Sequence, residues 1–371
     1  MIVTISIVLL GCSTLYYALF LGKVRNGLRR LLPRGSYDGK PLVSVLIAAR
    51  DEERTIEACL RSVLDQDYPS DLIEIIVVND ASSDNTGTIL GHIAQNHANV
   101  HVVTLEESLG RKPLALSAAV KESRGEFLLT TDADCIVPRT WISGMVRYFQ
   151  PSIAFVAGPV GEREGPSMFS KLERLEFLGL ITTAGGLIGA NRPIICNGAN
   201  LAYRKSAFLS VQGYGETDPW SDDETLMSRI QSRHAGTVTF AADSAVLVTT
   251  SSANTLRSFI RQRLRWSAKT GHYEDPTILL QLVALYFYFL LLLTFVIGSF
   301  WAPAVLPWAV LSLLTKGWTE YLTLRAGGRM FRSDVPVIPF LIAELFHVPY
   351  IVVTAAVGQF VSLEWKGRKI I

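Results

Sequence analysis

The chain has 371 residues, of which 49% are hydrophobic and only 18% charged, and its mean hydropathy is +0.29. Soluble domains carry roughly 25% charged residues, so part of this chain is expected to face lipid. A formal net charge of +2 gives no basis for nucleic-acid binding, and four widely separated cysteines predict free thiols, not a disulfide scaffold.

The chain opens with an apolar segment, residues 1–22, that contains no Asp, Glu, Lys or Arg. About 20 apolar residues are enough to cross a bilayer. A signal peptide carries its basic residues before the apolar run, whereas here they follow it, at Lys23, Arg25, Arg29 and Arg30. We therefore predict a transmembrane helix that leaves the following chain in the cytoplasm.

Short apolar runs alternate with amphipathic segments in the first half of residues 40–270. The predicted strands are Leu42–Ala49, Ile73–Val78, Val100–Thr104 and Phe127–Thr131, and the predicted helices are Glu52–Asp65, Asn85–Asn96 and Pro113–Ser123. This alternation predicts an α/β domain with a mostly parallel, doubly wound sheet of Rossmann-like type.

Acidic residues follow three of the four predicted strands: Asp51, Asp80, and the pair Asp132 and Asp134. In doubly wound sheets, ligands bind beyond the carboxyl ends of the strands. Two carboxylates separated by one residue can reach one divalent cation, and hard oxygen ligands suit Mg²⁺ or Mn²⁺. Such an ion would offset charge on a leaving diphosphate. The competing interpretation of the pair is a solvated turn.

Six ordered motifs give residues 41–270 a resemblance to family 2 of the glycosyltransferases, the inverting GT-A type. The motifs are Val43–Glu53, Ile75–Thr86, Thr131–Asp134, Asn197–Asn200, Asp222–Leu226 and Gln262–Trp266, the last with Q-x-x-R-W spacing. The resemblance implies a GT-A nucleotide-sugar-binding domain over residues 40–270, with a UDP-sugar as the expected donor.

The resemblance implies roles for the matched acidic residues. Asp80 would hydrogen-bond the nucleotide base, and Asp51 or Glu52 would line the same pocket. Asp132 and Asp134 match the motif that binds the metal and the donor sugar. A carboxylate can accept from a ring N–H, so the chemistry of Asp80 agrees with its implied role.

Asp223 matches the general base of the family. Asp222 stands where relatives carry Glu, and it is expected to contact the acceptor or the diphosphate. We expect the neighbouring carboxylates of Asp222 and Glu224 to raise the pKa of one of them, which would help a base that takes a proton from a hydroxyl. The same residues also form an acidic helix start, and both interpretations can hold. Because the sequence shows no nucleophile motif, we expect one direct, inverting displacement.

The resemblance places Gln262, Arg265 and Trp266 at the donor diphosphate and the acceptor. Arg257, Arg261 and Arg265 recur every four residues and predict a cationic stripe on one helix. Arg265 is assigned to the diphosphate, and Arg257 and Arg261 to anionic lipid heads.

Two further segments carry predictions. Lys112 precedes a predicted helix and is expected to contact donor phosphate, although the Ala-Leu-Asn that often follows in relatives is Ala115-Leu116-Ser117 here. The apolar segment Ser167–Ile188 is either a core helix or an interfacial helix that guides an acceptor.

Three apolar segments follow the predicted catalytic domain, at residues 277–301, 303–324 and 335–363, and each is a predicted transmembrane helix. Lys316 and Glu320 interrupt the second, which is costly inside a bilayer.

Four spans in all would place the C-terminal tail outside the cell. That tail is basic, with Lys366, Arg368 and Lys369, so the topology breaks the positive-inside trend. Either the tail is an exception or one span is re-entrant.

Two functions remain open from the sequence. One is transfer of a single sugar to a lipid or lipid-linked acceptor at the cytoplasmic membrane face. The other is a processive polysaccharide synthase, which the Q-x-x-R-W motif favours and the short chain, with about three C-terminal spans, disfavours. A non-enzymatic scaffold would not require the acidic motifs.

Overall fold

The computed structural model describes residues 1–31, 35–163, 165–215, 222–233, 238–253, 255–268, 275–360, 364–365 and 368–369. Helices pack against a central sheet, and a bundle of long helices adjoins it. The end of the predicted span 335–363 and the tail residue Lys366 lie outside the described residues.

The central sheet has the strand order β3-β2-β1-β4-β7-β5-β8. Its strands are β1 (Val43–Ala49), β2 (Ile73–Asp80), β3 (Val100–Leu105), β4 (Phe127–Thr130), β5 (Phe155–Ala157), β7 (Leu201–Arg204) and β8 (Val238–Phe240). The first four strands are parallel, while β7 runs antiparallel to β4 and to β5. Two more strands, β6 (Val160–Glu162) and β9 (Val248–Thr250), pair in parallel beside it.

The four predicted strands are confirmed, with ends that differ by one or two residues. The side chains of β1, β2 and β4 are almost all buried, which explains their largely apolar sequences, whereas only Val100 is buried in the edge strand β3. The helices that follow them are α2 (Ile56–Leu64), α3 (Thr86–Asn96), α4 (Lys112–Glu122) and α5 (Trp141–Val146). The first begins four residues later than predicted, because residues 52–55 form a turn closed by the Thr55 N–H and the Glu52 carbonyl at 3.0 Å.

The second half of the α/β domain combines strands β5 to β9 with four helices. Its helices are α6 (Met168–Gly189), α7 (Lys205–Ser210), α8 (Asp223–Arg233) and α9 (Leu256–Ser267). The long bundle helices are α1 (Ile2–Leu28), α10 (Pro276–Gly298), α11 (Leu306–Phe331) and α12 (Val337–Gly358), and a short hairpin of β10 (Glu364–Trp365) and β11 (Arg368–Lys369) follows.

Among the described residues, three helices are long and apolar enough to cross a membrane: Val3–Leu28, Pro276–Gly298 and Val337–Gly358. Thus two of the three predicted C-terminal spans meet this criterion. Helix α11 has sufficient length, at 26 residues, but does not meet the criterion of apolarity. Whether α11 crosses a membrane therefore depends on its contacts with the other bundle helices.

The bundle contains a buried network of charged side chains. Lys316 on α11 is 0% exposed, and its Nζ lies 2.8 Å from Glu344 Oε2, 3.0 Å from Glu320 Oε2 and 3.0 Å from His347 Nδ1. The Tyr17 hydroxyl of α1 donates to Glu320 Oε1 at 2.5 Å. The network joins α1, α11 and α12 and leaves each charge with a partner, which lowers the cost of placing charges in an apolar environment.

Helix α6 is a core helix, the first of the two alternatives. Its side chains Phe177, Leu178 and Ile181 are buried in the main core. It also packs on α1 with almost no gap, because a Cβ added to Gly27 would lie 1.8 Å from the Gly186 carbonyl oxygen. The backbones of the first bundle helix and of a catalytic-domain helix are therefore in direct contact.

Candidate active site

The carboxyl ends of β2, β1 and β4 are neighbours in the sheet, and they bring together three of the predicted acidic positions. Asp51, two residues after the end of β1, and Ala81, directly after β2, both have left-handed backbones, with φ of 51° and 50°. Non-glycine residues seldom adopt this conformation, and it occurs most often at functional turns. Asp51 Oδ1 accepts from the Ser83 N–H at 2.8 Å, which ties the two strand ends together.

Asp80, the predicted partner of the nucleotide base, is 2% exposed. Its Oδ2 accepts from the Ser108 hydroxyl at 2.7 Å, and its Oδ1 from the Leu109 N–H at 2.8 Å. The Arg50 guanidinium lies 3.9 Å from Oδ2. A carboxylate has about four lone-pair positions, so these contacts leave capacity for one more donor. The hydrogen bond between Asp80 and the nucleotide base stays a prediction.

Asp132 and Asp134 lie together at the end of β4. Ligand atoms of Asp132, Asp134 and Cys135 all lie within 4.8 Å of one another, close enough to hold one metal ion. Burial, followed by the charges of Asp132 and Glu52, raises the pKa of Asp134. The charge of Glu52 thus affects one of the two carboxylates, Asp132 and Asp134, that form the predicted metal site. Burial also raises the pKa of the Cys135 thiol, so this group stays protonated and the two carboxylates are the ligands that suit a hard cation.

Lys112, the first residue of α4, connects the metal pair to the predicted base. Its ammonium group contacts Asp132 Oδ1 and lies 4.0 Å from Asp223 Oδ2. Burial would lower the pKa of Lys112, but the charges of Asp132 and Asp223 outweigh it and raise that pKa. The Lys112 ammonium therefore lies between two carboxylates, in a position where it could also bind a phosphate of the donor.

The side chain of Asp223, at the start of α8, is held in place by several groups. Burial raises its pKa, the Lys112 charge opposes this, and the Asp132 charge adds to it. The raised pKa agrees with the prediction, but the cause differs. The expected neighbours Asp222 and Glu224 are not the source of the shift. The structure supplies burial and a carboxylate distant in sequence instead.

Asp222 is the N-cap of α8. Its Oδ1 accepts from the Glu224 N–H at 3.0 Å and from the Thr225 N–H at 3.3 Å, which satisfies donors that a helix start otherwise leaves open. The predicted contact of Asp222 with acceptor or diphosphate stays a prediction.

The Q-x-x-R-W motif lies on α9, and Arg263 organises it. This side chain is 4% exposed, forms an ion pair with Glu176 of α6, and donates to Gln262 Oε1. Its guanidinium carbon lies 4.3 Å from the centre of the Trp266 ring, within cation–π range. Sequence reasoning assigned no role to Arg263, although its spacing from Trp266 places both on one helix face.

Arg265 of α9 is close enough to the predicted metal site to interact electrostatically with Asp132. Burial lowers its pKa, and the charge of Asp132 opposes that effect. Its predicted role near the donor diphosphate therefore fits its surroundings. Trp266 is 38% exposed and provides an accessible aromatic surface. Arg257 and Arg261 are exposed, and their contact with anionic lipid heads stays a prediction.

A second buried carboxyl group lies near Arg263. Glu162, at the end of β6, is 8% exposed, and burial, followed by the charge of Glu173, raises its pKa to about 8. It is therefore expected to carry a proton in the folded protein at neutral pH.

The Asn197–Asn200 segment passes directly beside the base. A Cβ added to Gly198 would lie 2.0 Å from Asp223 Oδ2, so this position accommodates no side chain. Asn200 fixes the segment, since its side chain accepts from the Trp141 indole at 2.8 Å and donates to the carbonyls of Pro159 and Val246, both at 2.8 Å. The sequence showed this motif only through the resemblance.

Comparisons with known proteins agree with this arrangement. Residues 44–211 match the model of glycosyl transferase family 2. A poly-β-1,6-N-acetyl-D-glucosamine synthase of Staphylococcus epidermidis is 28% identical over 329 residues, which cover 86% of this chain and 76% of that protein. A Staphylococcus aureus (strain COL) protein of the same name is 29% identical, and the alignment covers 69% of this chain and 60% of that protein.

A solved structure also matches the whole chain. The mannosyltransferase PcManGT from Pyrobaculum calidifontis, in complex with GDP-Man and Mn²⁺, superposes with a TM-score of 0.62 over 97% of this chain and 99% of that chain, at 19% identity. This likeness shows a shared GT-A fold. The match to the family 2 model over residues 44–211, the shared fold and the converging carboxylates together show that the chain is a glycosyltransferase.

Proposed function

We propose that the chain transfers a sugar from a UDP-sugar to a lipid or lipid-linked acceptor by one inverting displacement, with Asp223 as the general base. The observation that carries this proposal is the position of the Asp223 carboxylate. It lies 4.0 Å from the Lys112 ammonium, which also contacts the carboxylate of the predicted metal pair. Glycosyl transfer by direct displacement requires a general base and a phosphate-binding cation close to the metal-binding carboxylates, and these groups are together here.

The acceptor hydroxyl would give its proton to Asp223 as it attacks the anomeric carbon, and the nucleotide diphosphate would leave on the opposite side. Lys112 and Arg265 would contact the diphosphate as negative charge develops on it. The raised pKa of Asp223 gives the carboxylate more proton affinity than an exposed aspartate has. Attack and departure on opposite faces of one carbon invert the anomeric configuration.

Asp132 and Asp134 would hold Mg²⁺ or Mn²⁺, which when bound offsets the charge of the leaving diphosphate. The donor set supports this assignment, because burial and the charge of Asp132 raise the pKa of Asp134, and a cation between the two carboxylates would offset this repulsion. Only Asp132 has a close contact with Lys112.

The second candidate is a polysaccharide synthase that extends and exports its polymer. Both staphylococcal relatives bear the name of a poly-β-1,6-N-acetyl-D-glucosamine synthase, which favours this candidate and favours N-acetylglucosamine as the sugar. The S. aureus relative is longer, since the chain covers 60% of it, so its activity is a proposal for this chain. The two candidates share the donor site and differ in what the acceptor is.

The contacts of the bundle support a membrane topology. Helices α1 and α11 run parallel, since Thr14 contacts Ser312 at 2.8 Å and Arg25 contacts Thr323 at 3.0 Å. Helix α10 runs antiparallel to α1, since Tyr17 stacks on Tyr288 while the later α1 residue Val24 clusters with the earlier α10 residue Ile278. We infer that these three helices cross the bilayer and that the Lys316 network satisfies the charges of α11 inside it.

Helix α12 supports the re-entrant alternative. Just before its start, Ser333 accepts from Arg174 of the catalytic domain at 3.1 Å, and near its end the Thr354 carbonyl accepts from Ser267 of α9 at 2.9 Å. Both ends thus contact the catalytic domain. Pro349 lies inside the helix, where a missing N–H favours a bend. In this topology the basic C-terminal tail stays in the cytoplasm, which agrees with the positive-inside trend.

Reporter fusions test the topology. Alkaline phosphatase, active only outside the cytoplasm, and a fluorescent protein would be fused in turn after Ala302 and after the C-terminal residue of the full chain. We expect phosphatase activity only at Ala302 and fluorescence only at the C-terminus. Phosphatase activity at the C-terminus would instead support α12 as a fourth crossing.

A donor screen tests the function. The purified full-length chain in lipid nanodiscs would receive UDP-N-acetylglucosamine, UDP-glucose or GDP-mannose, with either a polyprenyl phosphate or a β-1,6-linked N-acetylglucosamine oligomer as acceptor. Mass spectrometry of the product separates one added sugar from a polymer. We expect Asp223→Asn to lower kcat by about 10²- to 10⁴-fold, and the exposed Asp71→Asn to leave it unchanged. Equal loss in both variants, or none in Asp223→Asn, would remove Asp223 as the base.

A further inference from the structure

A tight turn, residues 212–215, precedes the segment that leads to α8. Gln212, Gly213 and Gly215 have left-handed backbones, with φ of 60°, 59° and 75°. A Cβ added to Gly213 would lie 2.4 Å from the Phe208 ring, and one added to Gly215 would lie 2.7 Å from Arg229. The turn therefore needs both glycines, for conformation and for space. It holds Tyr214 in one place.

Tyr214 is 1% exposed, and its hydroxyl donates to Asp223 Oδ1 at 3.0 Å. Its carbonyl accepts from Arg229 of α8 at 3.1 Å, so the turn is joined at two points to the helix that carries the base. Burial and the charge of Asp223 raise the pKa of Tyr214, so the hydroxyl keeps its proton and acts as a donor.

The other oxygen of Asp223 has different surroundings. Asp223 Oδ2 faces Gly198 and lies 4.0 Å from the Lys112 ammonium. Because one oxygen is occupied by the buried tyrosine, the second oxygen is the one that can receive a proton from an acceptor hydroxyl. A freely rotating carboxylate would present either oxygen and would spend less time in the reactive geometry.

We propose that Tyr214 is the positioning residue of the catalytic base: its hydroxyl holds Asp223 Oδ1 so that Oδ2 faces the acceptor. This inference rests on the proposed function, in which Asp223 takes the proton. It assigns no contact between Tyr214 and the substrate. The arrangement resembles other catalytic bases that are oriented by a buried hydrogen-bond partner.

The variant Tyr214→Phe removes one hydroxyl and keeps the ring. We expect kcat to fall about 10- to 100-fold, the size expected for loss of one hydrogen bond to a charged group, with KM for the donor unchanged. The hydrogen bond from Tyr214 lowers the pKa of Asp223. Asp223 must be ionised to act, so without that bond the acid limb of the kcat profile should move to higher pH.

Tyr68→Phe is the matched control. Tyr68 is 6% exposed, and its hydroxyl donates to the Pro41 carbonyl at 2.7 Å, at the amino end of β1, whereas the acidic residues of the site follow the carboxyl ends of the strands. It loses one buried hydrogen bond, as Tyr214→Phe does, and should lower the melting temperature by a similar amount while kcat and the pH profile stay as in the parent.

The outcomes separate the inference from the proposed function. If Asp223→Asn is inactive while Tyr214→Phe keeps the parent kcat and pH limb, Tyr214 has only a structural role and the inference is wrong. If Asp223→Asn remains active, the base assignment itself fails. If Tyr68→Phe loses as much kcat as Tyr214→Phe, the loss reflects stability, and the positioning role is again excluded.

Discussion

Gly198→Ala should separate activity from stability more sharply than any other single substitution in this site. The new Cβ would lie 2.0 Å from Asp223 Oδ2 and 2.9 Å from Lys112 Nζ, whereas ordinary contacts begin at 3.4 Å. The carboxylate must therefore retreat by at least about 1.4 Å. It cannot do so freely, because Tyr214 holds its other oxygen at 3.0 Å. A misplacement of about 1 Å can cost about 10²-fold in rate.

The expected result is a kcat about 100-fold below the parent, measured as release of nucleoside diphosphate by the full chain in nanodiscs. The clash involves a side-chain end and not backbone, so overpacking should cost no more than about 1–3 kcal/mol of stability. Gly91→Ala in α3 is the control, because nothing lies within 4 Å of its added Cβ and alanine favours a helix. A Gly198→Ala enzyme with the parent kcat would refute the position assigned to the base.

Three further predictions concern the metal, the bundle and pH. Asp134→Ala should abolish turnover, and EDTA should do the same to the parent until Mg²⁺ or Mn²⁺ is added; undiminished rates in EDTA would exclude the metal. Lys316→Met should lower the melting temperature strongly, because it leaves buried carboxylates without a counter-charge at a cost of about 3–5 kcal/mol. The double variant with Glu344→Gln should recover part of the loss. Full stability of the single variant would contradict the network. Glu162 favours its protonated form in the folded state, with a pKa of about 8 against an ordinary 4.5, so stability should fall as pH rises between those values. Melting temperatures over that range should flatten in Glu162→Gln, and an unchanged slope would contradict the shift.

The first half of the catalytic domain could be predicted well because its information is local. The parallel strands β1, β2 and β4 are buried on both faces and appear as largely apolar runs. The residue after each strand lies at the ligand-binding edge by the geometry of such sheets. The sequence alone therefore predicts that Asp51, Asp80 and Asp132 lie at one edge of the sheet.

What the sequence could not provide depends on contacts between distant residues. Arg263 pairs with Glu176, 87 positions earlier, and no periodicity connects them. The shift of the Asp223 pKa comes from burial and from Asp132, so counting its sequence neighbours gave the correct direction for the wrong reason. The cap role of Asp222 was visible as an alternative, and the contacts of the α12 ends were not visible at all.

The glycine contact between α1 and α6 has a consequence for how this enzyme can be handled. With the Gly27 and Gly186 backbones touching, the anchor is part of the fold and not a removable tether. Cutting the chain after residue 31 would expose a seam shaped to receive a helix, so a truncated protein should aggregate. In the proposed topology, the same contact sets the distance between the proposed donor site and the bilayer surface, and a membrane-bound acceptor would have to span that distance.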